Sequence, residues 1–274
     1  MPSARQVTQQ VVKASAAAFD VLHRPALGVV VLIYHRVGGA SGLDIDLPEP
    51  LFDAQMEALA ASGRVVPLAV ALELLASSDV PVGPRPVVLT LDDGTADFVD
   101  RALPILERHH LPITLYAATE FIDEGKAFPD DGRPVSWAGL ADACSTGLVE
   151  VGSHTHRHRL LDRVSAREAA DELDRSIDLI AEHLGRPPLD FAYPKAVQGS
   201  AVADRAVRER FRSAALAGTR PNRFGATDAH TLARSPVQRS DGLRWFEHKV
   251  DGGMALEDQL RGRLNRYRYA QATT

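Results

Sequence analysis

The sequence predicts an α/β protein built on a parallel sheet or barrel, and three observations carry that prediction. Six short apolar, β-prone runs alternate with helical patterns along almost the whole of the 274 residues. Helix-ending signals fall between them: Gly147 and Gly185 stand where left-handed caps are wanted, and Pro187-Pro188 forbids the longest helix from continuing. No repeat, linker or low-complexity tract interrupts the alternation, so one domain is expected, and 45% hydrophobic content can fill its core.

In chain order, Val7, Val11, Ala14, Ala18, Phe19 and Leu22 recur at helical spacing, so residues 1–24 are predicted to form an amphipathic helix ahead of a barrel over 25–274. Its apolar stripe is expected to pack on the barrel. A peripheral membrane contact through residues 3–23 is the alternative, because Arg5, Lys13, His23 and Arg24 suit an anionic surface. The predicted strands are Val29–Tyr34, Val87–Leu91, Ile113–Ala117, Leu148–Gly152, Asp190–Tyr193 and Ser213–Leu216. The predicted helices are Leu51–Ser62, Leu68–Ser77, Ala96–His110, Trp137–Thr146, Ala166–Leu184 and Ala201–Phe211, with a last one over Leu256–Tyr269. Ser165 and Glu168 form a capping box at the start of the fifth.

Composition excludes several classes. Ordinary Gly and Pro usage beside plentiful apolar residues rules out a disordered or fibrous chain. A net charge of −5 gives no general attraction to nucleic acid, and none is expected as a partner. The single cysteine, Cys144, rules out an internal disulfide or a Cys-rich zinc module. No apolar run approaches the ~20 residues that span a bilayer. The polar start lacks a secretory pattern, so a cytoplasmic location is expected.

Two stretches point to chemistry. In Val87–Gly94 (VVLTLDDG) a strand ends in Asp92-Asp93-Gly94; adjacent carboxylates repel unless a cation or shared proton relieves them, although an acidic helix cap reads equally well. In Glu150–Arg159 (EVGSHTHRHR) His154 and His158 stand four apart, which brings two imidazoles to one side of a helical turn, with His156 pointing elsewhere. Two His and one Asp supply the three protein ligands of an open, catalytic metal site. His35, in Ile33–Val37 (IYHRV), reads as a proton donor or a strand-end His with one hydrogen bond. In Phe191–Lys195 (FAYPK), Pro194 leaves the amide of Lys195 free to donate outward.

Together, YHRV (34–37), TLDDG (90–94), SW (136–137), GSHTHRH (152–158) and FAYP (191–194) make the chain resemble the polysaccharide deacetylases of carbohydrate esterase family 4. The likeness is to the branch with an N-terminal Tyr-His-Arg-Val motif and runs from about Val29 to Pro236. It implies a distorted (β/α)7 barrel and one divalent metal, Zn2+ first, with Co2+ or Ni2+ as alternatives. It implies Asp93, His154 and His158 as metal ligands, Asp92 as general base, His35 as acid ahead of the late His248, and the Lys195 amide as oxyanion donor. Arg234 or Arg239 would then partner Asp92. Departures are Leu91 for the usual Phe, Ala192 for an Arg, and Lys195-Ala196 where relatives carry Tyr-Gly.

The expected reaction is hydrolysis of an N-acyl, above all N-acetyl, group on a sugar or glycan, with Trp137 and Tyr193 as sugar-facing aromatics. A deacylase of a small N-acyl metabolite or a cyclic-amide hydrolase would use the same metal site. A non-catalytic carbohydrate-binding protein would need no base beside a metal. A glycosidase would need carboxylates about 5–10 Å apart across the substrate, unlike adjacent Asp92-Asp93.

Overall fold

The strand runs are apolar on both faces because each is buried twice, against the barrel interior and against a helix. A computed structural model describes residues 4–77 and 82–260. Helix α1 (Ala4–Leu22) precedes β1 (Val30–Tyr34), the two-residue pair β2 (Arg36–Val37) and β3 (Asp46–Leu47), then α2 (Glu49–Ser62) and α3 (Leu68–Ala76). The chain continues through β4 (Val87–Asp93), α4 (Leu103–His109), β5 (Ile113–Ala117), α5 (Thr119–Asp123), α6 (Trp137–Ser145) and β6 (Val149–Ser153). Helix α7 (Ala166–Leu184), β7 (Asp190–Ala192), α8 (Ala201–Arg210), β8 (Ser213–Ala217), β9 (Leu232–Pro236) and α9 (Arg244–Val250) complete it.

Seven parallel strands close a barrel in the order β1-β4-β5-β6-β7-β8-β9, with β9 returning to β1 through the register Val31↔Arg234. Strands β6 and β7 meet at the single pair Ser153↔Phe191, the shortest ladder of the barrel. Alternate residues divide the core. Leu32, Leu89, Leu91 and Leu115 join α2 and α4 in an outer cluster, while Val31, Val88, Tyr116, Ala192 and Ala215 form a second one. A Cβ at Gly152 would lie 2.6 Å from the Tyr116 ring, so glycine is required there for that ring to fit.

Three differences from the sequence expectations have physical reasons. The seventh strand, β9, escaped notice because Arg234, Ser235 and Pro236 give it no apolar signature, yet Arg234 is fully buried. The helix expected over Ala96–His110 is split into a wide π-type turn at Phe98–Ala102 and α4, because Pro104 has no amide to continue the ladder. The capping box at Ser165 and the left-handed Gly185 end α7 as expected. Residues 255–260 begin the last predicted helix, whose remainder lies outside the described residues. The third difference concerns α1. Its stripe of Val11, Ala14, Ala18, Phe19 and Leu22 faces away from the barrel, and the side carrying Gln10, Lys13, Ala16 and Asp20 docks instead.

Candidate active site

The candidate residues lie at the C-terminal ends of the barrel strands, where βα loops build sites. His35 follows β1, Asp92 and Asp93 end β4, His154 follows β6, and Lys195 follows β7. With Ile33, Ile45, Ala217 and Gln238, all of them line one cavity of about 400 Å3.

Asp93, His154 and His158 converge so that their donor atoms all lie within 4.8 Å of one another. Asp93 Oδ1 stands 3.7 Å from His154 Nε2 and 3.5 Å from His158 Nε2. The two imidazoles do not meet across a helical turn, as their spacing suggested. Residues 154–160 are irregular, and left-handed backbone at Thr155 (φ 65°) and His158 (φ 55°) folds the loop back on itself. Asp93 is itself held at φ 76°, an uncommon conformation for a non-glycine residue. His154 Nδ1 donates to the Ala192 carbonyl at 2.7 Å, which leaves the Nε2 lone pair facing Asp93. Two imidazoles, one with its tautomer fixed, and one carboxylate are a donor set that fits a divalent metal ion. Burial and the neighbouring His154 imidazole push His158 down to about 4, so it is neutral and able to ligate at ordinary pH.

Asp92 points to a different partner. Burial alone would raise its pKa, but the Arg234 guanidinium holds it down to about 2. Arg234 Nη1 and Nη2 donate to the two carboxylate oxygens at 2.6 and 2.8 Å. The guanidinium also donates to the Thr90 hydroxyl and lies 5.1 Å over the Tyr116 ring. Of the two arginines the sequence offered, Arg234 is therefore the one that meets Asp92; Arg239 sits in the 3-10 turn Arg239–Asp241.

His35 Nδ1 is buried beside the cavity with no hydrogen-bond partner in the protein. His248 packs beside Trp245, with ring centroids 5.7 Å apart, and does not line the cavity. Lys195 and Ala196 both occupy left-handed backbone, at φ 52° and 55°, in a turn closed by the Ala196 amide on the Tyr193 carbonyl.

The expected sugar-facing aromatics are placed elsewhere. Trp137 stacks on His183 and donates to Asp123, because it opens α6 on the outer layer. Tyr193 is fully buried, with its hydroxyl donating to Asp204 on α8 at 2.8 Å, and burial raises its pKa well above the ordinary tyrosine value. Neither lines the cavity. The sequence reading missed Glu172. This fully buried carboxylate on α7 accepts the Arg157 amide at 2.7 Å, and the Glu172 carbonyl accepts the His156 amide. It thereby pins the loop between His154 and His158. A Glu inside a helix ordinarily reads as solvent-facing, so no local signal marked it.

Comparison with known proteins bears on the fold that presents these residues. The polysaccharide deacetylase family matches residues 79–213. The structure of IcaB from Ammonifex degensii superposes with a TM-score of 0.73 at 26% identity, covering 82% of this chain and 98% of that one. The Streptococcus pyogenes deacetylase PplD, solved in complex with acetate, shares the fold with a TM-score of 0.67 at 20% identity, over 80% and 97% of the two chains. YxkH of Bacillus subtilis, a polysaccharide deacetylase by name, is 21% identical over 193 residues, 70% of this chain. The alignment spans 65% of the length of that relative.

Proposed function

Because this chain belongs to the polysaccharide deacetylase family, we propose that it removes an N-acyl group, acetyl above all, from an amino sugar in a glycan or glycan precursor. The reading rests chiefly on one observation: Asp92, paired with Arg234, and His35, with an unpartnered buried Nδ1, face the same cavity as the Asp93-His154-His158 cluster. That cluster would hold the divalent ion, Zn2+ first. Such an ion supplies Lewis acidity that polarises an amide carbonyl and acidifies water.

The protein's own groups divide the remaining work. Asp92 accepts the proton of the attacking water as its oxygen bonds to the acyl carbon. Arg234 keeps that carboxylate ionised and fixes both of its oxygens. The Lys195 amide donates to the carbonyl oxygen as it gains negative charge, a contribution often worth about 3–4 kcal/mol per donor. His35 delivers a proton to the sugar nitrogen as the carbon–nitrogen bond breaks, since an unprotonated amine leaves poorly. The products are a free amine and a carboxylate.

Asp92→Asn tests the assignment. The variant should lose acetate release from N-acetylated sugars while keeping the metal content of the unaltered protein. Undiminished turnover in that variant would overturn Asp92 as the base.

A further inference from the structure

Helix α1 docks through Lys13, Asp20 and the small Ala16, which packs on Trp245 and Met254. Lys13, 1% exposed, reaches Asp241 and Glu257. Gln10 accepts from the Trp245 indole and donates to the Ser240 carbonyl, and Asp20 accepts the Met254 amide. The apolar stripe is left outside: Val11 is 59%, Phe19 39%, Val21 78% and Leu22 79% exposed, and Leu27, just past the helix, is 66% exposed. An amphipathic helix on a globular protein ordinarily shows the reverse arrangement, and a run of exposed apolar side chains on one face marks an interaction surface.

Charge indicates what covers that face. The only acidic residue of α1 is Asp20, which is engaged inward with Met254. His23 and Arg24, both exposed, follow the helix. Among the described residues no helix is long and apolar enough to cross a membrane. An apolar helix face without carboxylates, ending in the exposed His23 and Arg24, suits a surface of anionic headgroups over acyl chains. A two-fold pairing of the face with itself would find no outward carboxylate on α1 to meet Arg24.

We propose that the outer face of α1 is a docking surface for an anionic lipid bilayer, on which the helix lies in the plane of the interface. The test is co-sedimentation of the full chain with vesicles of three parts phosphatidylcholine to one part phosphatidylglycerol, against vesicles of phosphatidylcholine alone. The unaltered chain should partition onto the anionic vesicles, and less so as salt is raised. The double substitution Val21→Glu, Leu22→Glu should weaken partitioning about tenfold or more while the circular dichroism spectrum is retained. Leu27→Glu, outside the helix, provides the same comparison if the double variant changes the spectrum. Equal partitioning of the unaltered and substituted chains overturns the proposal. So does a concentration-dependent dimer that the substitutions abolish without any vesicle binding, which would assign the face to a second copy.

Discussion

Arg234 and Asp92 form a two-pronged ion pair inside the barrel, with Arg234 fully buried and the Asp92 side chain only 6% exposed. The pair joins β9 to β4, strands that are not neighbours in the sheet, across the interior. Removing one member strands a buried charge, which typically costs about 3–5 kcal/mol. Arg234→Met should therefore destabilise the fold by that order in urea unfolding. Adding Asp92→Asn to it should recover part of the loss, because the second change removes the orphaned carboxylate. A double variant less stable than Arg234→Met by the full cost of a second independent lesion would show that the pair is not coupled.

The same pair sets an acid dependence. A carboxylate whose folded pKa is depressed contributes stability that is complete above its unfolded value, about 3.9, and lost as pH falls through the folded value. For Asp92 the folded value is about 2, so the loss falls between about pH 4 and pH 2. In the metal-free protein, Asp92→Asn should flatten the fall in unfolding free energy over that interval by roughly 2 kcal/mol. Superimposable pH slopes for the two proteins would contradict the depressed value.

The ligand cluster predicts a loss of metal rather than of fold. His154→Ala or His158→Ala should lower the bound divalent ion well below one per chain by elemental analysis, with thermal unfolding of the apo-protein changed little in comparison. Glu172→Gln should act more mildly, lowering metal affinity about tenfold, because it loosens the loop and not a ligand. Full occupancy in both histidine variants would refute the cluster as the metal site.

Ala196 is held at φ 55°, where a side chain costs about 1–2 kcal/mol relative to glycine. Ala196→Gly should therefore raise the melting temperature by about 2–4 °C, provided that the turn keeps its shape. A lowered melting temperature would mean that the greater freedom of the unfolded glycine outweighs the relief.

Much of this site is legible in the sequence because its parts are local. Asp92-Asp93 and the His154–His158 segment each follow an apolar strand directly, so a single window shows both the chemical groups and the strand end that presents them. The long-range parts are not local. Arg234 lies 142 residues from Asp92, and the sequence could only name it beside Arg239. Strand β9 was hidden for the same reason, since its interior residue is charged for the sake of a partner elsewhere in the chain. The direction in which α1 faces was equally hidden. Periodicity reveals a stripe, but the neighbour is chosen by Lys13 meeting Asp241 across 228 residues. Trp137 and Tyr193 stand beside the motifs in sequence, but their partners His183 and Asp204 draw both away from the cavity.

Acetate release from an N-acetylglucosamine oligosaccharide, followed on the same preparation before chelation, after chelation and after return of Zn2+, tests the central claim most directly. Amine and acetate should appear in equal amounts, both should be lost when the metal is stripped, and both should recover when it is restored. Unchanged acetate release from protein shown by elemental analysis to be metal-free would contradict it.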